Sequence, residues 1–261
     1  MNIFQALVYG IVQGLGEFLP ISSTAHITLV PWLFGWQDPG LAFDIALHIG
    51  TLFAVVMFFW KDWLTLISAG IKGIGTRNGR LFWFLVLATL PGGLAGVLFE
   101  SRIESSFRNP ALIGVMLIVM GIVLYLADKI GRMDVDIENI GLPRSVFIGI
   151  SQALSIIPGV SRSGITMAAG RSTGLKRDVS ARFSFLLSTP IIFASAAYKI
   201  KDIANTSVDA FPFVIAVLTS AIVGVLSIKF LLDYLRKKGF GIFVIYRFIL
   251  GIIVIGLFLI R

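Results

Sequence analysis

The chain has 261 residues, 57% of them hydrophobic and only 14% charged, with a mean hydropathy of +0.93. A soluble domain carries about 25% charged residues, so the composition excludes a soluble globular protein and points to a polytopic membrane protein. The net charge of +8 sits in loops between apolar stretches, which argues against nucleic acid as a partner, and the lack of cysteine excludes disulfides, thiolate metal sites and cysteine nucleophiles.

The N-terminus, Met1-Asn2-Ile3-Phe4, has no basic region and no small-residue cleavage site, and reads as part of the mature chain. Residues 3–19 predict a helix that stops at Pro20, and a second apolar piece runs from Ile21 to about Phe34. Proline lacks an amide donor and disfavours helix at the residue before it. Spans follow near 41–60, 81–99 and 109–127, each close to the 20 or so apolar residues that cross a bilayer. The pattern then repeats. Residues 144–157 run into Pro158-Gly159, a second short piece follows, and spans lie near 181–199, 210–232 and 240–260. Broken backbone at membrane depth is tolerated only where protein or a water-filled cavity covers it. Both broken regions therefore read as re-entrant hairpins.

The expected fold is all-α and polytopic, with six transmembrane helices and two re-entrant helical hairpins. Three spans per half force the halves into an inverted-topology repeat, residues 1–130 and 140–261, a known way to build a site at the membrane midplane. An offset of 139 aligns Gly10 with Gly149, Ile11 with Ile150, Gln13 with Gln152, Leu15 with Leu154 and Ser22 with Ser161. Fourteen Lys and Arg, among them Lys61, Arg80, Lys129, Arg177 and Lys238, fall on one side. Five, Arg102, Arg108, Lys199, Lys201 and Arg261, fall on the other. The richer side is expected to be cytoplasmic, which puts both termini outside and lets the two hairpin tips meet.

Polar residues crowd the breaks. Gln13 and Glu17 are four apart and share a helix face. An intramembrane carboxylate points to function by default; the alternative is a protonated glutamate bonded to a neighbouring helix. Ser22, Ser23 and Thr24 follow Pro20 as cap residues, where free amides also suit an anion. His26 lies one turn beyond Ser23, spaced to act on a serine hydroxyl as general base or to protonate a leaving group. In the second hairpin, Ser161, Arg162, Ser163, Gly164 and Thr166 follow Pro158-Gly159; the glycines allow an anion nest, and the arginine fork suits phosphate. Asp44 and His48, again four apart, either line the outer mouth of the site or pair with each other. Arg247 interrupts the last span, to pair with a carboxylate or to support the site.

The run from Gln13 to His26, with Glu17, Phe18-Leu19-Pro20 and Ser22-Ser23-Thr24-Ala25-His26, resembles the first signature of the bacterial undecaprenyl pyrophosphate phosphatases, also called bacitracin resistance proteins. Pro158-Gly159-Val160-Ser161-Arg162-Ser163-Gly164 resembles the second, and Phe43 to Thr51 also has the family's look. The resemblance implies an enzyme of the bacterial cytoplasmic (inner) membrane. It would remove the terminal phosphate of undecaprenyl pyrophosphate at a site open to the periplasm, recycle the carrier lipid for peptidoglycan, and confer bacitracin resistance when abundant. It implies a divalent cation, Mg2+ or Ca2+, near Glu17. Glu17, Ser23, His26 and Arg162 would form the catalytic core. Gln13, Ser22, Thr24, Ser161, Ser163, Gly164 and Thr166 would bind the substrate. Position 13 is Gln where many members have Glu, one carboxylate fewer. Ser23 assisted by His26, or a water activated by Glu17 or His26, would attack the terminal phosphorus. Expected partners are the polyprenyl pyrophosphate, the surrounding lipids and a second copy in a homodimer.

The competing class is a polyprenyl-phosphate transporter or flippase, for which inverted repeats with broken helices are common. The unrelated acid-phosphatase-like lipid phosphatases need a histidine downstream of the Ser-Arg pair, and both histidines here, His26 and His48, lie upstream of Ser161-Arg162.

Overall fold

The computed structural model describes residues 1–106, 109–132, 134–199 and 210–260, without the side chains of 41–42 and 100–106. Of the charges used for orientation, the side chains of Arg102, Arg108, Lys201 and Arg261 lie outside this description. The described residues form eleven α-helices and no strand: α1 (Ile3–Phe18), α2 (Ser23–Phe34), α3 (Leu41–Phe58), α4 (Trp60–Ile71), α5 (Arg77–Ser106), α6 (Pro110–Ile130), α7 (Leu142–Gln152), α8 (Arg162–Ser172), α9 (Arg177–Tyr198), α10 (Ala210–Leu235) and α11 (Gly241–Ile260). Five of them, α5, α6, α9, α10 and α11, are long and apolar enough to cross a membrane, and α3 with α4 qualifies as a sixth, bent pair. The protein is a multi-pass membrane protein.

The expected spans reappear, four of them longer (α5, α6, α9 and α10) and those near 41–60 and 240–260 slightly shorter, but the loop expected after residue 60 is helical. The chain turns by 80° into α4. On a helical wheel, Trp60, Leu64, Ile67 and Ile71 share one edge, and all are exposed. Leu66 and Gly70 are buried, and α4 packs against α5. Lys61, Asp62 and Thr65 occupy the polar arc. The exposed apolar edge and the polar arc make α4 an amphipathic helix, set at an angle to the span before it.

Both proline regions are broken helices. Asn2 and Gln5 close a reciprocal capping box that starts α1. After α1 the backbone is extended at Leu19, then Ser22 adopts φ 77° and accepts the Ala25 amide to start α2. In the second region α7 passes into a 3-10 turn, Ala153–Ile156, and Ser161 at φ 72° accepts the Gly164 amide to start α8. These two serines are the described non-glycine residues with positive φ, a conformation that costs about 1–3 kcal/mol and persists where the surroundings over-determine it.

What over-determines it is a fully buried arginine. Arg247 on α11 donates from Nη1 to the Pro20 carbonyl at 2.7 Å and from Nη2 to the carbonyls of Gly159 (2.6 Å) and Val160 (3.0 Å). Its Nε reaches the Leu117 carbonyl on α6 at 3.3 Å. A helix break strands backbone acceptors that must find donors; here one guanidinium serves both breaks and holds them together. Ser163 adds a bond across the junction, from its Oγ to the Leu19 carbonyl at 3.1 Å. Of the two alternatives for Arg247, support of the site is the one the geometry matches.

The first arm of each broken pair beds on a long helix: α1 on α10, and α7 on α5. A methyl group on Gly10 would meet the Ala216 carbonyl, and one on Gly149 the Ala88 carbonyl. Close backbone approach through small residues is how helices associate in lipid, where no hydrophobic gain separates a protein neighbour from an acyl chain. At the far end of α8, fully buried Arg171 donates to the carbonyls of Asp128 and Gly131 and to the Asp128 carboxylate. That contact ties α8 to the end of α6 and so fixes where its first residue, Arg162, begins.

Candidate active site

The two breaks open into one cavity of about 610 Å3. Glu17 from α1, Ser23 and Thr24 from α2, and Pro158, Ser161 and Arg162 from the second break line it. Asp44 and His48 of α3, Gln152 at the end of α7, Ser155 beyond it and Lys199 after α9 add to the polar part. Ile27, Ile45, Val97, Ile156, Ile191 and Ile192 make much of the remainder apolar. The N-termini of α2 and α8 both meet this junction, so two sets of unbonded helix amides are available to an anion.

Glu17 is the centre. A Cβ at Gly16 would lie 2.7 Å from the Ser23 Cα, so the bare backbone there lets the end of α1 approach the start of α2. Ser23 Oγ donates to Glu17 Oε2 at 2.8 Å, and Gln13 Nε2 donates to the same oxygen at 3.1 Å. Arg162 Nη2 meets Glu17 Oε1 at 2.6 Å, while Nη1 reaches the Ser184 carbonyl at 3.3 Å. Glu17 is only 5% exposed and Arg162 12%. A charge so buried costs several kcal/mol unless it is paired and its remaining sites are bonded; here both conditions hold. The pair joins residues 145 positions apart, one from each break.

The two histidines take different places. His26 does not line the cavity. Its Nδ1 donates to the Ser22 carbonyl at 2.7 Å and its Nε2 bonds the Tyr246 hydroxyl at 2.6 Å, with the two rings stacked. Neither ring nitrogen is free for Ser23. His48 instead presents Nε2 to Glu17 Oε2 at 3.4 Å, held by an Nδ1 bond to the Asp44 carbonyl at 2.7 Å. The Asp44–His48 pair thus belongs to the cavity wall.

Glu17, Ser23, Thr24, Ser161 and Arg162 border the cavity; Gln13, Ser22, Ser163, Gly164 and Thr166 stand behind it. Gln13 orients Glu17. The Ser22 and Ser161 hydroxyls cap helices, the Gly164 amide is taken by Ser161, and Ser163 bonds the opposite break. Thr166 bonds the Arg162 carbonyl and Ser184 Oγ, both at 2.7 Å.

A family model described as bacitracin resistance protein BacA matches residues 6–253. The chain belongs to this family. The relatives of this BacA-family chain include an undecaprenyl-diphosphatase of Pelotomaculum thermopropionicum, 56% identical over 98% of this chain and 97% of that one. Another, from Desulforudis audaxviator, is 54% identical over the full length of both, and a third, from Moorella thermoacetica, is 50% identical over the same extent.

Whether the BacA-family site fits a resident divalent cation is decided by its donors. Among the described residues no group of three or more His, Asp or Glu side chains is placed to hold a metal. Both oxygens of Glu17 already accept hydrogen bonds, one of them from the arginine cation. Hard cations take six or more oxygen ligands, and these residues alone do not provide that cage.

Two residues of the site escaped sequence reasoning. Tyr246, next to Arg247 in the otherwise apolar last span, has no motif around it. Gln152 is 1% exposed and lines the cavity, and neither its Nε2 nor its Oε1 has a partner among the described residues. Its alignment with Gln13 at the offset of 139 was the available signal.

Proposed function

We propose that this BacA-family protein hydrolyses undecaprenyl pyrophosphate to undecaprenyl phosphate and inorganic phosphate, returning the carrier lipid to peptidoglycan synthesis. The observation that carries this reading is the buried Glu17–Arg162 pair, with Ser23 bonded to the same carboxylate, in a cavity that is polar at the breaks and apolar elsewhere. The substrate has the matching division, an anionic head on a hydrocarbon tail. Full-length relatives named as diphosphatases favour hydrolysis over the transport alternative.

In this reading the terminal phosphate competes with Glu17 for Arg162, whose planar fork suits phosphate oxygens, and the amides at the starts of α2 and α8 take the rest of the charge. Glu17 loses its cationic partner and becomes a better acceptor for the Ser23 proton. Ser23 Oγ forms a bond to the terminal phosphorus as the bridging P–O bond breaks and undecaprenyl phosphate leaves. Water then cleaves the phosphoserine ester. Glu17, and not His26, takes the serine proton, because Ser23 Oγ points at Oε2. A divalent cation, Mg2+ or Ca2+, would supply charge neutralisation to the pyrophosphate, and Glu17 is the carboxylate that would face it.

The same proposal extends to architecture. Residues 1–130 and 140–261 are read as inverted repeats with re-entrant hairpins. Ser22 and Ser161, 139 positions apart, share positive φ and the same capping role, and Gly10 and Gly149 share the same close packing. The cavity lies beside the start of α3 and the end of α9, at the end poorer in Lys and Arg, so it is proposed to open to the periplasmic side of the cytoplasmic membrane.

The direct test is phosphate release from undecaprenyl pyrophosphate by the purified protein in detergent. Release that stops with a chelator and returns with Mg2+ or Ca2+ is expected; no release under any cation overturns the reading. Gln152→Leu should raise KM about tenfold with kcat little changed, the weight of one hydrogen bond to a charged group. An unaltered KM would remove Gln152 from substrate contact.

A further inference from the structure

At the opposite end of the bundle a second pocket, of about 230 Å3, lies between α4, the start of α5, the turn near Ile140 and the start of α9. Four cations line it, Lys61, Arg77, Arg80 and Arg182, against two carboxylates, Asp62 and Glu138. Asp62 is engaged by Arg182, whose Nε is buried and has no hydrogen-bond partner among the described residues. No carboxylate among the described residues lies within ion-pair reach of Arg77, Arg80 or Lys61, and the Lys61 ammonium sits over the Trp60 ring at 5.4 Å. The pocket is thus built for an anion that the protein does not itself supply.

The position of the pocket says which anion. It is framed by the polar arc of α4, and the other edge of that helix exposes Trp60, Leu64, Ile67 and Ile71. An amphipathic helix with its apolar edge turned to the acyl chains holds its polar arc at headgroup depth, and basic pockets between membrane helices suit acidic headgroups. We propose that this pocket binds the phosphate headgroup of an anionic membrane phospholipid, such as phosphatidylglycerol, with the acyl chains running along the exposed edge of α4. The site is separate from the Glu17 cavity and does not rest on the phosphatase reading.

The full-length protein, stripped of lipid in neutral detergent, would be titrated with phosphatidylglycerol or phosphatidylcholine, and retained lipid counted by native mass spectrometry. Wild type should retain one phosphatidylglycerol in preference to phosphatidylcholine. Arg77→Ala/Arg80→Ala should weaken that retention about thirtyfold and Lys61→Gln about fivefold, following the contribution of each cation near a membrane surface. Thermal unfolding of the same preparations reports whether the variants are folded; if the double variant is not, Lys61→Gln decides. Equal retention by variant and wild type, equal retention of phosphatidylcholine, or displacement of the lipid by millimolar inorganic phosphate would overturn the proposal, the last by assigning the pocket to a free anion.

Discussion

Arg162→Ala is expected to lower phosphate release by about 10³-fold, since it removes both the phosphate ligand and the partner of Glu17. It should also destabilise the protein by about 3–5 kcal/mol, the usual result of leaving one buried charge without its mate. The Glu17–Arg162 contact, 2.6 Å long and almost wholly out of solvent, predicts that the two effects separate. In Glu17→Met/Arg162→Met both charges are gone, and apolar side chains of similar length fill the space, an exchange that is often neutral or stabilising. Thermal unfolding of the double variant should return close to wild type while phosphate release stays at background. If the double variant remains as unstable as the single one, the pair is not a compensated buried ion pair. Activity recovering along with stability would confine the pair to a structural part.

Ser23→Ala should be the other large loss, with turnover falling about 10³-fold or more as the nucleophile disappears. His26→Ala should cost far less, about tenfold at most, comparable to losing a neutral hydrogen bond, because its nitrogens are engaged by Ser22 and Tyr246. A rapid quench of wild type with substrate labelled on the terminal phosphate should trap the label on Ser23. Near-normal turnover in Ser23→Ala would transfer the attack to a water activated by Glu17. A His26 loss as deep as that of Ser23 would show that the ring leaves Tyr246 during the reaction.

How much of this was legible beforehand depends on the distance over which each feature is decided. Pro20 and Pro158-Gly159 act on their own neighbours, so the two breaks and the serines that restart α2 and α8 could be read directly from the chain. The apolar spans were equally local, because bilayer thickness sets their length. The bend after α3 was not: a continuous apolar run and one that bends into a second, amphipathic helix differ only in helical phase, and the packing of α4 against α5, with Leu66 and Gly70 buried, decides between them. Glu17 and Arg162 stood out singly as misplaced charges, but their pairing spans 145 positions and depends on Arg247 drawing the breaks together.

The histidines make the point most sharply. By spacing alone, His26 shares a face with Ser23 and His48 shares one with Asp44. Yet Ser23 opens its helix, and its hydroxyl turns back across the break to α1, where α3 brings His48 to the same carboxylate. Composition, spans, breaks and the polar residue set are determined by the sequence itself, because backbone chemistry and hydropathy act within a few residues. Which polar group faces which was decided only by tertiary structure, because a buried charge takes its partner from whichever helix the packing sets beside it.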